Sequence, residues 1–251
     1  MSGLLEIEGL SKSFDGVTAL AGFSCAVGEG EIVGLIGPNG AGKTTFFNVI
    51  TGFMHADGGS ARFRGADVLG LPPHRVARAG ISRTFQNLRL IRRLSVLDNV
   101  LLAFKDQPGE QLASIFLRRR ACAHCEDRNA EKAVALLKDA GLGEKLHDPA
   151  DDLSYGQQKL LSLVCCLAAD ADLLLLDEPV AGIAPEMMER ILSIIRALPE
   201  KGKTVVLIEH NMDAIAQVSD RVIFMDAGVK VSEGTPEEVR SDPKVLEAYL
   251  D

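Results

Sequence analysis

The sequence predicts an α/β fold built on a mainly parallel sheet, with an antiparallel β subdomain and a helical insertion. Short apolar runs at residues 31–36, 173–176 and 204–208 have the length of buried strands. Apolar residues at helical spacing occupy residues 186–198, between the second and third runs. Because strands that alternate with helices form parallel sheets covered on both faces, these elements predict the core of the fold.

The segments that flank this core predict its two additions. Residues 4–35 and 60–68 lack long helical patterns and are expected to supply antiparallel strands. Residues 95–148 lack strand patterns, and helical spacing occurs within them at residues 112–117 and 130–140.

We expect a single domain over residues 1–251, because the chain contains no internal repeat, low-complexity tract or obvious linker. Its core would comprise approximately residues 1–94 and 150–251. Residues 95–149 would form a helical subdomain, inserted as an arm between the two parts of the core.

The composition is that of an ordinary globular protein and argues against two classes of function. The chain has 251 residues, of which 47% are hydrophobic, and a formal net charge of −8. We expect no general nucleic-acid binding, because such binding neutralises phosphates with Lys and Arg. The apolar runs fall short of the roughly 20 residues that span a bilayer, so no membrane span is expected. The first residues also lack the order of a secretory signal.

The five cysteines are odd in number and irregularly placed, which is typical of reduced thiols in a cytosolic protein. Cys122 and Cys125 form a C-x-x-C pair with His124 between them. A zinc site needs a second pair of ligands, and none follows at a suitable spacing. We therefore expect a cysteine pair on a helix.

The strongest motif is a glycine-rich loop that lies between the predicted strand 31–36 and a predicted helix at 44–51. It fits G-x-x-x-x-G-K-[ST], the phosphate-binding pattern of P-loop NTPases. Its glycines let successive backbone N–H groups turn toward a phosphate, and the following helix presents its N-terminus to negative charge. Lys43 would reach the β- and γ-phosphates, and Thr44 would ligate Mg²⁺. The loop consists of Gly37, Pro38, Asn39, Gly40, Ala41, Gly42, Lys43, Thr44 and Thr45.

A second motif begins with four consecutive leucines at residues 173–176, which lead to Asp177 and Glu178. A central strand of this kind delivers carboxylates at its carboxyl end, where open α/β sheets bind ligands. Asp177 would hold Mg²⁺, and Glu178 would polarise the water that attacks the γ-phosphate. The alternative is a strand that ends at solvated carboxylates. The phosphate-binding loop on the same chain favours the functional interpretation.

A third motif, at residues 153–157, precedes an apolar helix. Ser154 and Gly156 are expected to form an N-cap and an anion-binding turn. A plain helix start is the alternative, and the residues themselves do not decide between the two.

In their order along the chain, these motifs resemble those of the ATP-binding subunits of ABC transporters. Residues 37–45 resemble the Walker A loop, and residues 153–157 resemble the signature motif. Residues 173–178 resemble the Walker B motif with its catalytic glutamate. The resemblance covers essentially the whole chain, and it implies a P-loop NTPase core that binds ATP and Mg²⁺.

Three single residues extend the resemblance. Gln86 is similar to the Q-loop glutamine, which in the family senses Mg²⁺ and the γ-phosphate. His210, 33 positions after Asp177, is similar to the switch histidine. Phe14 resembles the aromatic residue that stacks on adenine, for which a phenylalanine ring suffices. Each has a plainer alternative: Gln86 as an ordinary polar residue after a strand, His210 as a structural histidine, and Phe14 as a core residue.

The resemblance implies a mechanism that needs two subunits. Two such chains, identical or different, sandwich two ATP molecules head to tail. Ser154, Gly156 and Gln157 of one subunit then face the γ-phosphate bound at Lys43 of the other. Nucleotide contacts close the pair, hydrolysis reopens it, and the motion is relayed to integral membrane permease subunits.

Two residues depart from the family pattern. Tyr155 replaces the first glycine of the signature motif, a variant that resembles the ATPases of branched-chain amino acid uptake systems. Ala184 occupies the place where the D-loop usually has an aspartate, which puts polar chemistry of that loop in doubt. Because Lys43, Asp177, Glu178 and His210 are present, we still expect an active ATPase.

Further stretches resemble the same branched-chain amino acid group, namely residues 70–86, 89–90, 96–100 and 233–250. Amide and urea uptake systems share much of this pattern, so the transported solute stays open. The resemblance implies an importer that works with permeases and a periplasmic solute-binding protein. It also implies peripheral attachment to the cytoplasmic face of a bacterial or archaeal inner membrane.

A basic stretch at residues 68–97 contains six arginines and no acidic residue, within a chain of net charge −8. One interpretation is a solvated basic face. The other is a docking surface for the cytoplasmic loops of a permease or for anionic lipid headgroups. The position of Gln86 within the stretch favours docking. The arginines are Arg75, Arg78, Arg83, Arg89, Arg92 and Arg93.

Two other functions compete with a transport ATPase. A soluble ABC ATPase that acts on DNA or ribosomes usually has long coiled coils or tandem cassettes, and this chain has one cassette and no heptad run. A small-molecule P-loop kinase would leave residues 154–157 and His210 without a function. Both features favour the transport ATPase.

Overall fold

Two β-sheets organise residues 3–105 and 119–248, the residues that this computed structural model describes. The strands of these residues are β1 (Leu5–Phe14), β2 (Val17–Val27), β3 (Ile32–Ile36), β4 (Gly58–Phe63), β5 (Ala66–Asp67), β6 (Ile81–Arg83), β7 (Leu173–Asp177), β8 (Thr204–Ile208), β9 (Arg221–Asp226) and β10 (Val229–Gly234). The first sheet has the order β2-β1-β4-β5 and is antiparallel. The second has the order β10-β9-β3-β8-β7-β6.

The second sheet is parallel from β9 to β6, and only the edge strand β10 runs antiparallel to its neighbour. The helices of the described residues are α1 (Lys43–Ile50), α2 (Pro73–Ala79), α3 (Val96–Leu101), α4 (Arg119–Asp139), α5 (Tyr155–Ala168), α6 (Pro185–Arg196), α7 (Met212–Val218), α8 (Pro236–Ser241) and α9 (Pro243–Ala248). Short 3-10 turns lie at Gly143–Lys145, Ala150–Asp152 and Pro199–Lys201. The predicted α/β fold, with its parallel core and antiparallel β part, is confirmed.

The four leucines of β7 are buried because both faces of the parallel sheet are covered. Successive side chains of a strand point to opposite faces, so the leucines divide between two hydrophobic layers. Leu174 and Leu176 pack in the layer that contains α5 and α6. Leu173 and Leu175 pack in the layer that contains α1 and the antiparallel sheet. A continuous apolar run, rather than an alternating one, is therefore the sequence pattern of this strand.

The helical arm lies between β6 and β7 in sequence, as predicted. The helical pattern expected at residues 130–140 falls in α4, whereas that at residues 112–117 lies outside the described residues. Cys122 and Cys125 both belong to α4, which confirms a cysteine pair on a helix. In the described ranges, no cluster of three or more His, Cys, Asp or Glu side chains is arranged to hold a metal ion. No helix within those ranges is both long enough and apolar enough to cross a membrane.

Truncation of a β7 leucine should test the two-layer core. Leu176→Ala should lower the free energy of unfolding by about 2–5 kcal/mol, because it leaves a cavity between β7 and its covering helices. Urea unfolding measures the change. Leu246→Ala, on the exposed face of α9, is the matched control and should change stability by less than about 0.5 kcal/mol. Equal losses in the two variants would contradict the described packing.

Candidate active site

The motif residues meet at one edge of the parallel sheet. The loop at residues 37–45 follows β3, Asp177 ends β7, and His210 follows β8. Gln86 follows β6, which pairs with β7. Because these strands are parallel, their carboxyl ends share this edge, which is where open α/β sheets bind ligands. Segments far apart in sequence are thereby brought to one site.

Backbone crowding fixes two of the loop glycines. Gly37 has φ of 150°, and a Cβ atom there would lie 1.9 Å from the carbonyl oxygen of Met225. Gly42 has φ of 103°, and its Cβ would lie 2.2 Å from the carbonyl oxygen of Ala19. Any side chain would clash with fixed backbone at both positions, so only glycine allows the loop to pack against β9 and β2.

Lys43 stands at the start of α1 with its side chain turned back over the loop. Its ammonium is buried and donates to the carbonyl oxygens of Gly37 at 2.7 Å and Pro38 at 2.8 Å. Burial lowers the pKa of this ammonium, and the nearby charges of Glu178 and Asp177 oppose the shift. Lys43 therefore shares one electrostatic environment with the two acidic residues that follow the leucine run.

Asp177 forms an ion pair with Arg83, which belongs to the stretch that the sequence predicts to be an exposed basic face. Arg83 Nη2 lies 2.8 Å from Asp177 Oδ2, and both side chains are buried, at 5% and 2% exposure. Arg83 also donates to Asn48 Oδ1 at 2.7 Å, and its guanidinium lies over the rings of Phe47 and Phe85. The inclusion of Arg83 in an exposed basic face is therefore wrong.

Each carboxylate oxygen of Glu178 has a side-chain partner within hydrogen-bonding distance. Gln86 Nε2 donates to Oε2 at 3.2 Å, and His210 Nε2 lies 3.1 Å from Oε1. The backbone of Glu178 has φ of 49°, a left-handed conformation that costs a non-glycine residue about 1–2 kcal/mol. The three residues that the sequence placed in separate motifs thus form one polar cluster. Because the His210 side chain is partly exposed, the cluster faces the surface.

The turn at residues 154–157 is an N-cap, as predicted for Ser154. The Ser154 hydroxyl accepts from the backbone N–H of Gln157, and the Gln157 side chain accepts from the backbone N–H of Ser154. This capping box starts α5. Gly156 lies close to α6, since a Cβ there would be 2.9 Å from Met187 Cγ. The Gln157 side chain is thus engaged in the cap within its own turn.

Three remaining residues are placed as follows. Phe14 ends β1 with 40% of its surface exposed, so the alternative of a core residue is wrong. Tyr155 is 51% exposed, with its ring beside Gly182. Ala184 is the N-cap residue of α6 and makes no side-chain capping hydrogen bond, so it gives the loop that precedes α6 no polar side chain.

The oxygen donors at this edge fit a hard divalent cation. Thr44 offers a hydroxyl in the first turn of α1, Asp177 offers a carboxylate, and Gln86 offers an amide carbonyl. Arg83 donates to Oδ2 of Asp177, and the carboxylate would still have oxygen lone pairs to offer an ion. Mg²⁺ is typically bound in proteins by one or two carboxylates together with substrate phosphates, and this donor set has that character.

Three buried charged residues at the site are absent from the motif assignment. Arg83 belongs to the short strand β6, Lys159 belongs to α5, and Glu209 directly follows β8. Lys159 and Glu209 stand out weakly in the sequence, because Lys159 comes directly before an apolar run and Glu209 directly after one. Which buried group each one faces depends on how strands and helices pack, so the sequence offered no signal for their partners.

Comparison with protein families gives two matches. Residues 20–181 match the family described as ABC transporter. Residues 229–250 match a family described as branched-chain amino acid ATP-binding cassette transporter. Together these matches include the phosphate-binding loop, the capped turn and the leucine run.

Individual proteins extend the similarity to nearly the full chain. LivG of Salmonella typhimurium, a high-affinity branched-chain amino acid transport ATP-binding protein, is 39% identical over 248 residues, covering 98% of this chain and 97% of that protein. BraF of Pseudomonas aeruginosa, which carries the same description, is 38% identical with the same coverage. A crystal structure of an ATP-binding cassette of an ABC transporter in its ADP conformation is 33% identical, with a TM-score of 0.85, covering 100% of this chain and 99% of that chain. These matches confirm the resemblance that the motifs predict.

The Arg83–Asp177 contact can be tested against a matched pair, because Arg83–Asp177 is buried whereas Arg92–Asp151 is exposed. Arg83→Met should lower the free energy of unfolding by about 3–5 kcal/mol, because it leaves a buried carboxylate without its partner. Arg92, 80% exposed and 4.0 Å from Asp151, provides the control. Arg92→Met should cost less than about 1 kcal/mol.

Urea unfolding of the two variants measures both costs. The double variant Arg83→Met/Asp177→Leu should recover much of the lost stability, because no uncompensated charge remains. Equal stability of Arg83→Met and the wild type would contradict the ion pair.

Proposed function

The chain belongs to the ABC transporter family, and from that premise we propose that it is the ATP-hydrolysing subunit of an importer for branched-chain amino acids. The observation that carries the proposal is the convergence of Lys43, Gln86, Glu178 and His210 at one edge of the sheet. This arrangement combines a phosphate-binding loop with the Glu178 carboxylate, which is held in position to activate a water molecule. One ATPase domain, with residues 95–149 as its helical arm, would carry the activity.

In the proposed reaction, ATP binds with its phosphates on the loop at residues 37–45. Backbone N–H groups of the loop and the N-terminus of α1 would hold the phosphate oxygens. The Lys43 ammonium, now on the carbonyl oxygens of Gly37 and Pro38, would exchange these for oxygens of the β- and γ-phosphates. Phe14, exposed at the end of β1, would stack on the adenine.

Glu178 would act as the general base. Its carboxylate would take a proton from the water that attacks the γ-phosphate in line. Gln86 and His210, which hold one carboxylate oxygen each, would orient it and report the state of the phosphate to neighbouring segments. Thr44, Asp177 and Gln86 would hold Mg²⁺, which when bound neutralises charge that develops on the phosphates.

The resemblance further implies that each active site is completed by a second ATPase subunit. The capped turn at Ser154 heads α5 and is formed within its own chain. In the proposed dimer this turn and Gly156 would face the γ-phosphate bound at Lys43 of the other subunit. The pair would be homomeric or formed with a related ATPase chain.

A permease would dock on the exposed part of the basic stretch, which we call the basic face and define as Arg75, Arg78, Arg89, Arg92 and Arg93. All five side chains are exposed, whereas Arg83 is not. Three exposed apolar side chains accompany the face: Phe53 contacts Arg89, and Ile91 and Leu102 line one groove together with Arg89. Arg89 is packed on the rings of Phe53 and Phe85, so the face joins basic and apolar groups beside Gln86.

The solute assignment rests on the relatives. Both named proteins are described as branched-chain amino acid transport ATP-binding proteins, and the carboxyl-terminal family match has the same description. These names favour branched-chain amino acids over amides or urea, and transport over a soluble role on DNA or ribosomes. The proposed location is the cytoplasmic face of the inner membrane of a bacterium or archaeon, with a periplasmic solute-binding protein on the other side.

Substitution of the general base should separate hydrolysis from binding. Glu178→Gln should lower the turnover of Mg-ATP by at least about 100-fold, because an amide cannot take the proton from water. ATP binding should persist, since the loop at residues 37–45 is unchanged. Phosphate release and equilibrium binding measure the two effects. Glu200→Gln, an exposed site distant from the loop in sequence, should match the wild type. Wild-type turnover in Glu178→Gln would refute the assigned role.

Charge reversal should test the basic face. Arg89→Glu/Arg92→Glu should reduce co-purification with the permease subunits, because it replaces two positive charges of the proposed contact with negative ones. ATP hydrolysis by the isolated chain should be retained. Arg62→Glu/Arg240→Glu, which reverses two exposed arginines outside the face, is the control. Unchanged co-purification of the first variant would count against docking at this face.

A further inference from the structure

The turn that carries Glu178 is held at three backbone groups. The Glu178 N–H donates to the carbonyl oxygen of Ile208 at 2.9 Å. The Glu178 carbonyl oxygen accepts from Lys159 Nζ at 2.5 Å, and the Val180 N–H donates to Glu209 Oε1 at 2.7 Å. Because Glu178 has a left-handed backbone with φ of 49°, these contacts must hold a conformation that the residue disfavours by itself.

Lys159 reaches this turn from a different element. It lies on α5, two residues after the capped turn at residues 154–157, and its side chain is buried. Burial lowers the pKa of the Lys159 ammonium, and the charges of Glu209, Glu178 and Asp177 oppose that shift. The ring of Tyr155 covers the ammonium, with its centroid 5.4 Å away. No motif of the family resemblance used this lysine.

We propose that Lys159 is a positioning residue for ATP hydrolysis. By holding the carbonyl oxygen of Glu178, its ammonium maintains the left-handed backbone that directs the Glu178 carboxylate toward Gln86 and His210. Glu209, the residue after β8, supports the same turn through the Val180 N–H, and its charge balances the buried charge of Lys159. The inference rests on the proposed function of Glu178 as the general base.

The physical consequence of losing the lysine follows from the strain in the turn. Without the ammonium, the carbonyl oxygen of Glu178 keeps only the long hydrogen bond from the Ala181 N–H, at 3.4 Å. The turn then resists rotation toward a relaxed negative φ less strongly. That rotation moves the carboxylate away from Gln86 and His210. A displacement of about 1 Å at a reacting group can lower a rate by about 100-fold. The nucleotide-binding loop connects β3 to α1, whereas Lys159 belongs to α5. We therefore expect the affinity for ATP to stay unchanged when Lys159 is substituted.

A different explanation is that Lys159 only neutralises the buried Glu209. The two explanations differ in what a double variant should do. In Lys159→Met/Glu209→Gln, both charges are removed and the substituted amide can still accept from the Val180 N–H through its oxygen, so folding is preserved. If neutralisation is the whole role of Lys159, this variant should turn over ATP like the wild type. If Lys159 positions Glu178, turnover should stay low.

The experiment measures kcat and KM for Mg-ATP with the purified full chain and its variants. Lys159→Met and Lys159→Met/Glu209→Gln should each lower kcat by about 10- to 100-fold. Their KM values should stay within about twofold of the wild type, because only transition-state positioning is lost. Lys203→Met removes a lysine bound to Asp170 elsewhere in the fold and should leave both constants unchanged. Glu178→Gln is measured beside them.

Two results would overturn the inference. One is a double variant with wild-type kcat, which would reduce Lys159 to a neutralising charge. The other is a Lys159→Met variant with the kinetic constants of Lys203→Met, or with a raised KM at unchanged kcat. Failure of the proposed function is distinguishable, because then the wild type would lack ATPase activity or Glu178→Gln would retain it.

Discussion

The constraint on which this site depends is the burial of negative charge at the carboxyl end of β7. The four leucines of β7 pack between two hydrophobic layers, and Asp177 at the end of the strand is therefore almost fully buried. Glu209 is equally buried at the end of neighbouring β8. A carboxylate in such a place is strongly disfavoured unless a cation and hydrogen bonds compensate it. The surrounding elements are arranged to supply that compensation.

Three cations reach the acidic edge from three different elements. Arg83 comes from β6, Lys43 from α1 and Lys159 from α5. Arg83 pairs directly with Asp177, whereas Lys43 and Lys159 bind backbone carbonyl oxygens and act on the acidic residues through their nearby charge. These contacts also fix the positions of elements that carry functional residues. Gln86 follows Arg83 by three residues, and the capped turn at Ser154 precedes Lys159 by one helical turn. The contacts that compensate the buried negative charge therefore also position the functional residues of the site.

The basic stretch divides under the same constraint. Five of its arginines stay on the surface, and Arg83 is drawn inside to Asp177. The stretch is therefore neither a purely solvated face nor a purely external docking surface. Arg89 lies at the boundary between the buried and exposed arginines. Its guanidinium is 3.6 Å from the ring centroid of Phe85, and the buried Arg83 contacts the same ring. Cation–π packing joins the interior pair to the exposed face next to Gln86.

The sequence by itself determined three strands of the core (β3, β7 and β8), the glycine loop, the cap at Ser154 and the identity of the family, whereas it did not predict β9 and β10. These features are local, because apolar runs, turn glycines and capping residues act within a few positions of each other. Only the tertiary structure decided that Arg83 is interior, that Glu178 has a left-handed backbone, and that Lys159 and Glu209 hold its turn. Those facts depend on strand order and helix packing, which bring together residues 94 and 19 positions apart in the chain. No local pattern encodes such partners, because one arginine or lysine has the same local signature whether it faces water or a buried carboxylate.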